Sequence, residues 1–167
     1  MTLSHDESGL RAASTIVCVE DGGFTMDHTW QLTPDWLARS LKIDRLGADG
    51  RLHVTLERDD DGWRVNGERR SDLDGAVEPD LSVTPFCNSL PIRRLLSSGA
   101  DSLTVDVAYV DGKDLTVTRS RQRYDRLAPG RVRFVDLGLS AGFEAELVLD
   151  ERMLVVSYEH LFERVAG

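Results

Sequence analysis

Cysteine is scarce in this chain: Cys18 and Cys87 are the only two, far apart and in no CxxC pair. That excludes a disulfide-stapled scaffold and a cysteine-rich zinc site, and the pair reads as buried reduced thiols. Long apolar runs are missing too, so nothing approaches the ~20 residues of a membrane-crossing helix. Met1 to Arg11 carries Asp6 and Glu7 where a signal peptide would be apolar. The expected setting is the cytoplasm, without stable membrane insertion. Positive charge is in deficit, with 20 Lys and Arg against 29 Asp and Glu and a net charge of −9. Nucleic acid and anionic membranes both reward a basic surface, so neither is expected as a partner. His5, His28, His53 and His160 have no metal-ligand spacing, and no glycine-rich loop of the phosphate-cradling kind occurs. Neither a metal nor a cofactor is expected.

What the chain does contain is alternation with a period of two, broken by Gly, Asp and Pro clusters. Leu52, Val54 and Leu56 share one face after Ala48-Asp49-Gly50. Leu103, Val105, Val107 and Tyr109 share another, ending at Asp111-Gly112. Phe143, Ala145, Leu147 and Leu149 repeat the pattern, as do Val132 with Phe134, and Met26, His28, Trp30 and Leu32 after Asp21-Gly22-Gly23. Thr33-Pro34-Asp35 reads as a turn leading into a strand through Leu41 and Ile43. Asn88 to Ser98, closed by Gly99, reads as a short helix with Asn88 or Ser89 as cap and Pro91 in the first turn. The predicted fold is mostly β: a single curved antiparallel sheet forming an incomplete barrel, with one short helix near residues 88–98 and no parallel βαβ unit. At 167 residues the chain is read as one domain, with residues 1–11 as a loose tail.

Two patterns imitate active sites. Gly138-Leu139-Ser140-Ala141-Gly142 matches the nucleophile elbow, followed by Asp150 and His160. That chemistry requires a strand-to-helix turn above a parallel sheet, whereas Phe143 onward alternates like a strand. A hairpin loop explains the match better. Glu57, Asp59, Asp61, Gly62 and Glu68 fall at calcium-loop offsets, but Leu52-Val54-Leu56 supplies a strand where a helix is needed. An acidic β-turn is the better reading.

From Leu115 to Arg126 one strand face starts apolar, with Leu115 and Val117, and turns basic, with Arg119, Arg121 and Arg123. Three unpaired buried guanidinium groups are prohibitive. Either the strand leaves the core halfway, or a bulge flips its register, or the arginines ring the mouth of an apolar cavity. Paired, solvated arginines are the plainer expectation, with Arg121 beside Asp136. The stretch from Asp80 to Leu95 packs two prolines, a cap residue and Arg93-Arg94 between a strand and the helix.

That last stretch resembles the signature D-L-S-x-T-P-F-T-N-T-L-P-I-R-R-L of the glycolipid-binding family, formerly a domain of unknown function. Cys87 and Ser89 stand where the signature has threonines. Leu73-Asp74-Gly75, Tyr109-Val110, Gln122-Arg123-Tyr124, Tyr158 and Phe162 extend the agreement over about Ser14 to Arg164. Asp111 to Asp114 and Glu159 depart from the pattern, both at turns. The resemblance implies a strongly curved, incomplete antiparallel barrel similar to carriers of lipids and lipoproteins. It brings no catalytic residues.

The expected function is binding of an amphiphilic ligand, a glycolipid under the family's label, on the concave face of the sheet. Asp80, Asn88, Arg93, Arg94, Gln122, Arg123 and Tyr124 are the candidate head-group contacts. Trp36 and Trp63 are candidates for stacking. Two alternatives stay open: an enzyme on a small anionic or glycosylated substrate, with Asp80 and Tyr124 or Tyr158 as acid–base groups, and a protein-interaction module, with a homodimer as one form.

Overall fold

The computed structural model describes residues 1–6, 9–20 and 22–165. The architecture is mostly β with one helix and a strongly curled sheet forming a half-barrel; a second sheet accompanies it. Strands β1 (Thr2–Asp6), β2 (Gly9–Cys18), β3 (Phe24–Leu32), β4 (Ala38–Gly47), β5 (Gly50–Asp59), β6 (Gly62–Val65) and β7 (Glu68–Arg69) pair in chain order in one sheet. A one-turn 3-10 helix, Ser71–Leu73, leads to β8 (Ala76–Leu81) and then α1 (Ser89–Ser98). Strands β9 (Ser102–Val110), β10 (Val117–Ala128), β11 (Arg131–Asp136), β12 (Glu144–Leu149), β13 (Val155–Tyr158) and β14 (Phe162–Glu163) complete the second sheet, with β8 at the far edge beside β9.

Three expectations are corrected here. The chain builds two hydrogen-bonded sheets, because the strand rhythm reports faces and not which strands share a ladder. β8 pairs parallel to β9, so β8, α1 and β9 form the crossover that the turn spacing hid. The presumed loose tail is instead the strand β1, paired with β2 from Thr2↔Ala13 to Asp6↔Gly9. Leu3 packs on the core and Leu10 is buried opposite Leu32; two apolar residues were too few to reveal a strand. Asp21, in the turn expected before β3, lies outside the described residues.

The strand faces follow the period-two rule. In β3, Phe24, Met26, His28, Trp30 and Leu32 all point inward. The Nδ1 of His28 accepts a hydrogen bond from the Trp30 indole at 3.0 Å, and burial lowers its pKa to about 4, so it is a neutral core residue. Gly9, at φ +134°, starts β2 where any side chain would collide with the Leu32 carbonyl. α1 begins with Pro91 in its first turn and stops at Gly99, which takes the left-handed conformation at φ 73°. Its apolar residues Leu90, Ile92 and Leu95 are buried.

The hollow of the first sheet is filled by the chain itself. Trp30, Leu41, Ile43, Leu56 and Trp63 pack there with Leu81, Phe86, Ala108 and Val110. A second cluster joins Ile92 and Leu95 of α1 to Val105, Val107, Tyr124, Phe134, Leu147 and Tyr158. Open space remains beside this second cluster, on the inward face of β9–β13.

A candidate ligand cavity with a carboxylate floor

Strand register builds the site. Gln122 lies opposite Asp136 on β11 and Tyr124 opposite Phe134. On the other side Gln122 faces Val105 and Thr118 faces Tyr109. Directly paired residues share a face, so Gln122, Tyr124, Phe134, Asp136 and Tyr109 all project to one side. β8 then brings Asp80 over this face, and the 82–88 connection carries Asn88 to the start of α1.

Asp80 is the centre of a polar cluster. Gln122 Nε2 donates to Asp80 Oδ2 at 2.5 Å, and Cys87 Sγ lies 2.9 Å from Oδ1. The Tyr124 hydroxyl sits 2.9 Å from Asn88 Oδ1 and 3.0 Å from Gln122 Oε1. Asn88 makes no side-chain cap to its helix; its amide serves Tyr124 instead. Gln122, Asn88, Cys87 and Tyr124 are all buried, so the cluster is preorganised, with its amides locked by mutual hydrogen bonds. Burial pushes the Asp80 carboxyl above the ordinary carboxylate range; the Cys87 and Gln122 contacts oppose that shift and Asp136 adds to it.

Above this floor opens a cavity of about 260 Å³. Asp80, Gln122, Asn88, Asp136, Ser82 and Tyr109 give it polar walls. Phe134, Phe143, Tyr158 and Phe162 face them, ring to ring at 5.9–6.5 Å between centroids. Burial raises the Tyr158 phenol far above its usual value, so it is a neutral hydroxyl.

Of the sequence-nominated residues, the structure brings Asp80, Asn88 and Gln122 together on this cavity, with Tyr124 bracing them from behind. The others lie apart. Arg123 projects from the opposite face, since neighbours along a strand point in opposite directions, and pairs with Asp125 at 3.0 Å. Arg94 holds Glu78 at 2.8 Å. Arg93 stacks on the Trp36 ring, 3.5 Å from its centroid, and reaches the Arg152 carbonyl. Trp63 is buried in the first core cluster, its indole donating to the Ala76 carbonyl at 2.9 Å.

The basic strand leaves the core halfway. Val117 is buried on the face where Arg119 and Arg121 are exposed, and no bulge interrupts its pairing with β9. Both arginines bind Asp106 of β9, at 2.6 and 2.9 Å. Arg121 is therefore not the partner of Asp136, which lies opposite Gln122. Asp106→Asn is expected to leave the urea midpoint almost unchanged at high salt, because exposed pairs are screened. A large drop there would show that the arginine face carries fold stability.

The motifs that imitate active sites fall elsewhere. Ser140 is exposed in the loop between β11 and β12 and forms part of the cavity rim, Asp150 binds Arg164, and His160 is exposed beside Glu159. Asp59 is taken up by Arg64 and the Asp61 amide.

Tyr109, Asp136, Phe134 and Phe143 were not nominated for the site. Phe134 and Phe143 were legible as inward residues, whereas Asp136 had only its cross-strand position to mark it.

The site thus sits in a mostly β half-barrel as an open cavity with Asp80 in its floor. A family model described as "Putative glycolipid-binding" matches residues 1–164, and the chain belongs to that family. It is similar to the crystal structure of a DUF1089 family protein from Pseudomonas aeruginosa, with TM-score 0.82 and 28% identity. That alignment covers 98% of this chain and 90% of the other. No curated protein matches the chain. Among the described residues, no helix is long and apolar enough to cross a membrane.

Proposed function

We propose that this protein binds an amphiphile through a neutral, hydroxyl-rich head group of the sugar kind, held in the Asp80 cavity. The observation that carries this reading is the pairing of a carboxylate–amide floor with aromatic walls. Sugar hydroxyls donate to carboxylates and exchange hydrogen bonds with amides, while the apolar faces of the ring lie against aromatic side chains. With Asp80 and Asp136 on its walls and no Lys or Arg among the described residues that line it, the cavity disfavours phosphate and sulfate heads. Arg93, Arg94 and Arg123, proposed from sequence, are not among the described residues that line it. The family description supports the same ligand class.

The test is calorimetric titration with neutral alkyl glycosides, with alkyl phosphates as the contrast. Saturable binding of glycosides is expected, and Asp80→Ala should weaken it by tenfold or more, in line with ~1.5–3 kcal/mol for a hydrogen bond to a charged group. Circular dichroism checks that the variant folds. Equal affinity of the folded variant, or a preference for phosphates, would refute the reading.

A second reading, turnover of a small glycosylated substrate, draws on one observation: Asp80, with its raised carboxyl, and Asp136 line the same cavity. Two carboxyl groups on one cavity are the residue types that glycoside hydrolysis uses. Release of nitrophenol from nitrophenyl glycosides, lost in Asp80→Asn, would establish it; no release over days discards it.

A further inference from the structure

A second cavity, of about 270 Å³, adjoins the first, and Thr84 and Phe162 belong to the walls of both. Its remaining lining is largely apolar: Pro85, Phe86, Leu154 and Val155. Glu163 and Arg164 also border it, with Arg164 engaged by Asp150. Ser89, fully buried and with its hydroxyl unpartnered among the described residues, belongs to the same wall.

We infer that this second cavity receives the hydrocarbon chain of the molecule whose head group occupies the first; the inference rests on the proposed function. Neither cavity alone reaches roughly 300 Å³, the lower end for sites that enclose a drug-sized ligand, while the two together exceed it. Their chemistry divides as an amphiphile's does, with carboxylates and amides on one side of Phe162 and aliphatic side chains on the other. A molecule with a polar and an apolar end joined at one point fits two such spaces that meet at Thr84 and Phe162.

The experiment is a titration of the full chain with methyl, hexyl, octyl and decyl glycosides of one sugar, each below its micelle concentration. Methyl glycoside should bind weakly. Affinity should then rise by about three- to fourfold per methylene, the gain expected for full burial, and level off once the cavity is full. Leu154→Trp, which fills the cavity, should flatten the series while leaving methyl glycoside affinity as it was. A flat series with the unaltered protein overturns the inference and leaves the sugar site standing. An equally steep series in a folded Leu154→Trp variant also overturns it, because the chain then lies elsewhere. If no glycoside binds, both readings fall. Should the tryptophan variant not fold, the series with the unaltered protein decides alone.

Discussion

Arg94→Leu is expected to cost about 3–5 kcal/mol of stability at pH 8, the range found when one partner of a buried ion pair is removed. Near pH 5 the loss should shrink to about 1 kcal/mol, that of one hydrogen bond. Glu78 is 1% exposed, and Arg94 is the partner of its Oε2 at 2.8 Å; Oε1 has none among the described residues. Burial pushes this carboxyl up to about 7 in spite of the Arg94 charge. An acid raised in the folded state holds its proton after the unfolded chain has released it. Its contribution is therefore fully present below the ordinary glutamate range and is lost as pH climbs through about 7. Glu78→Gln should flatten that slope, and Glu78→Gln with Arg94→Leu should recover most of the loss at pH 8. Urea unfolding at both pH values measures this, and equal losses of the Arg94→Leu variant at pH 5 and pH 8 would contradict it.

Trp63→Ala should destabilise by about 3–5 kcal/mol, the usual range for removing a buried tryptophan. That corresponds to a fall in Tm of roughly 6–20 °C, at ~2–4 °C per kcal/mol for a chain of this size. The indole is 1% exposed, donates to the Ala76 carbonyl and carries Arg58 over its ring. It is absent from the walls of both cavities. Glycoside affinity of the folded fraction should thus be unchanged. A drop in affinity without loss of stability would return Trp63 to the ligand-contact role its sequence suggested.

The strand faces were legible because a half-buried strand must alternate. Leu103, Val105, Val107 and Tyr109 were read as one face, and that face borders the candidate cavity. The basic strand was legible in part: its arginines were expected paired and solvated, as Arg119 and Arg121 are, but Asp106 and not Asp136 is their partner. Ser120, Gln122 and Tyr124 occupy its inward phase from mid-strand on, and polar residues in that phase look like a solvent face, so spacing alone did not separate Gln122 and Tyr124 from Arg123 on the opposite side. Polar side chains persist there because they hydrogen-bond one another around Asp80, a compensation set by register with β8 and β11. Sequence spacing holds no record of that register. Asn88 shows a similar limit: its type and place fit a helix cap, yet Tyr124, 36 residues away, engages its amide. Trp36 was named for stacking on a ligand, whereas its ring carries Arg93, which arrives from a different element and left no mark in the spacing.

Open sheets have rims, and here two of the rims are β7 and β14, each a strand of two residues. A row that short offers an incoming backbone almost nothing to pair with. Crowding many copies together therefore gives fibril-like stacking little foothold at those margins, and the protein resists clumping there by the brevity of its outermost strands.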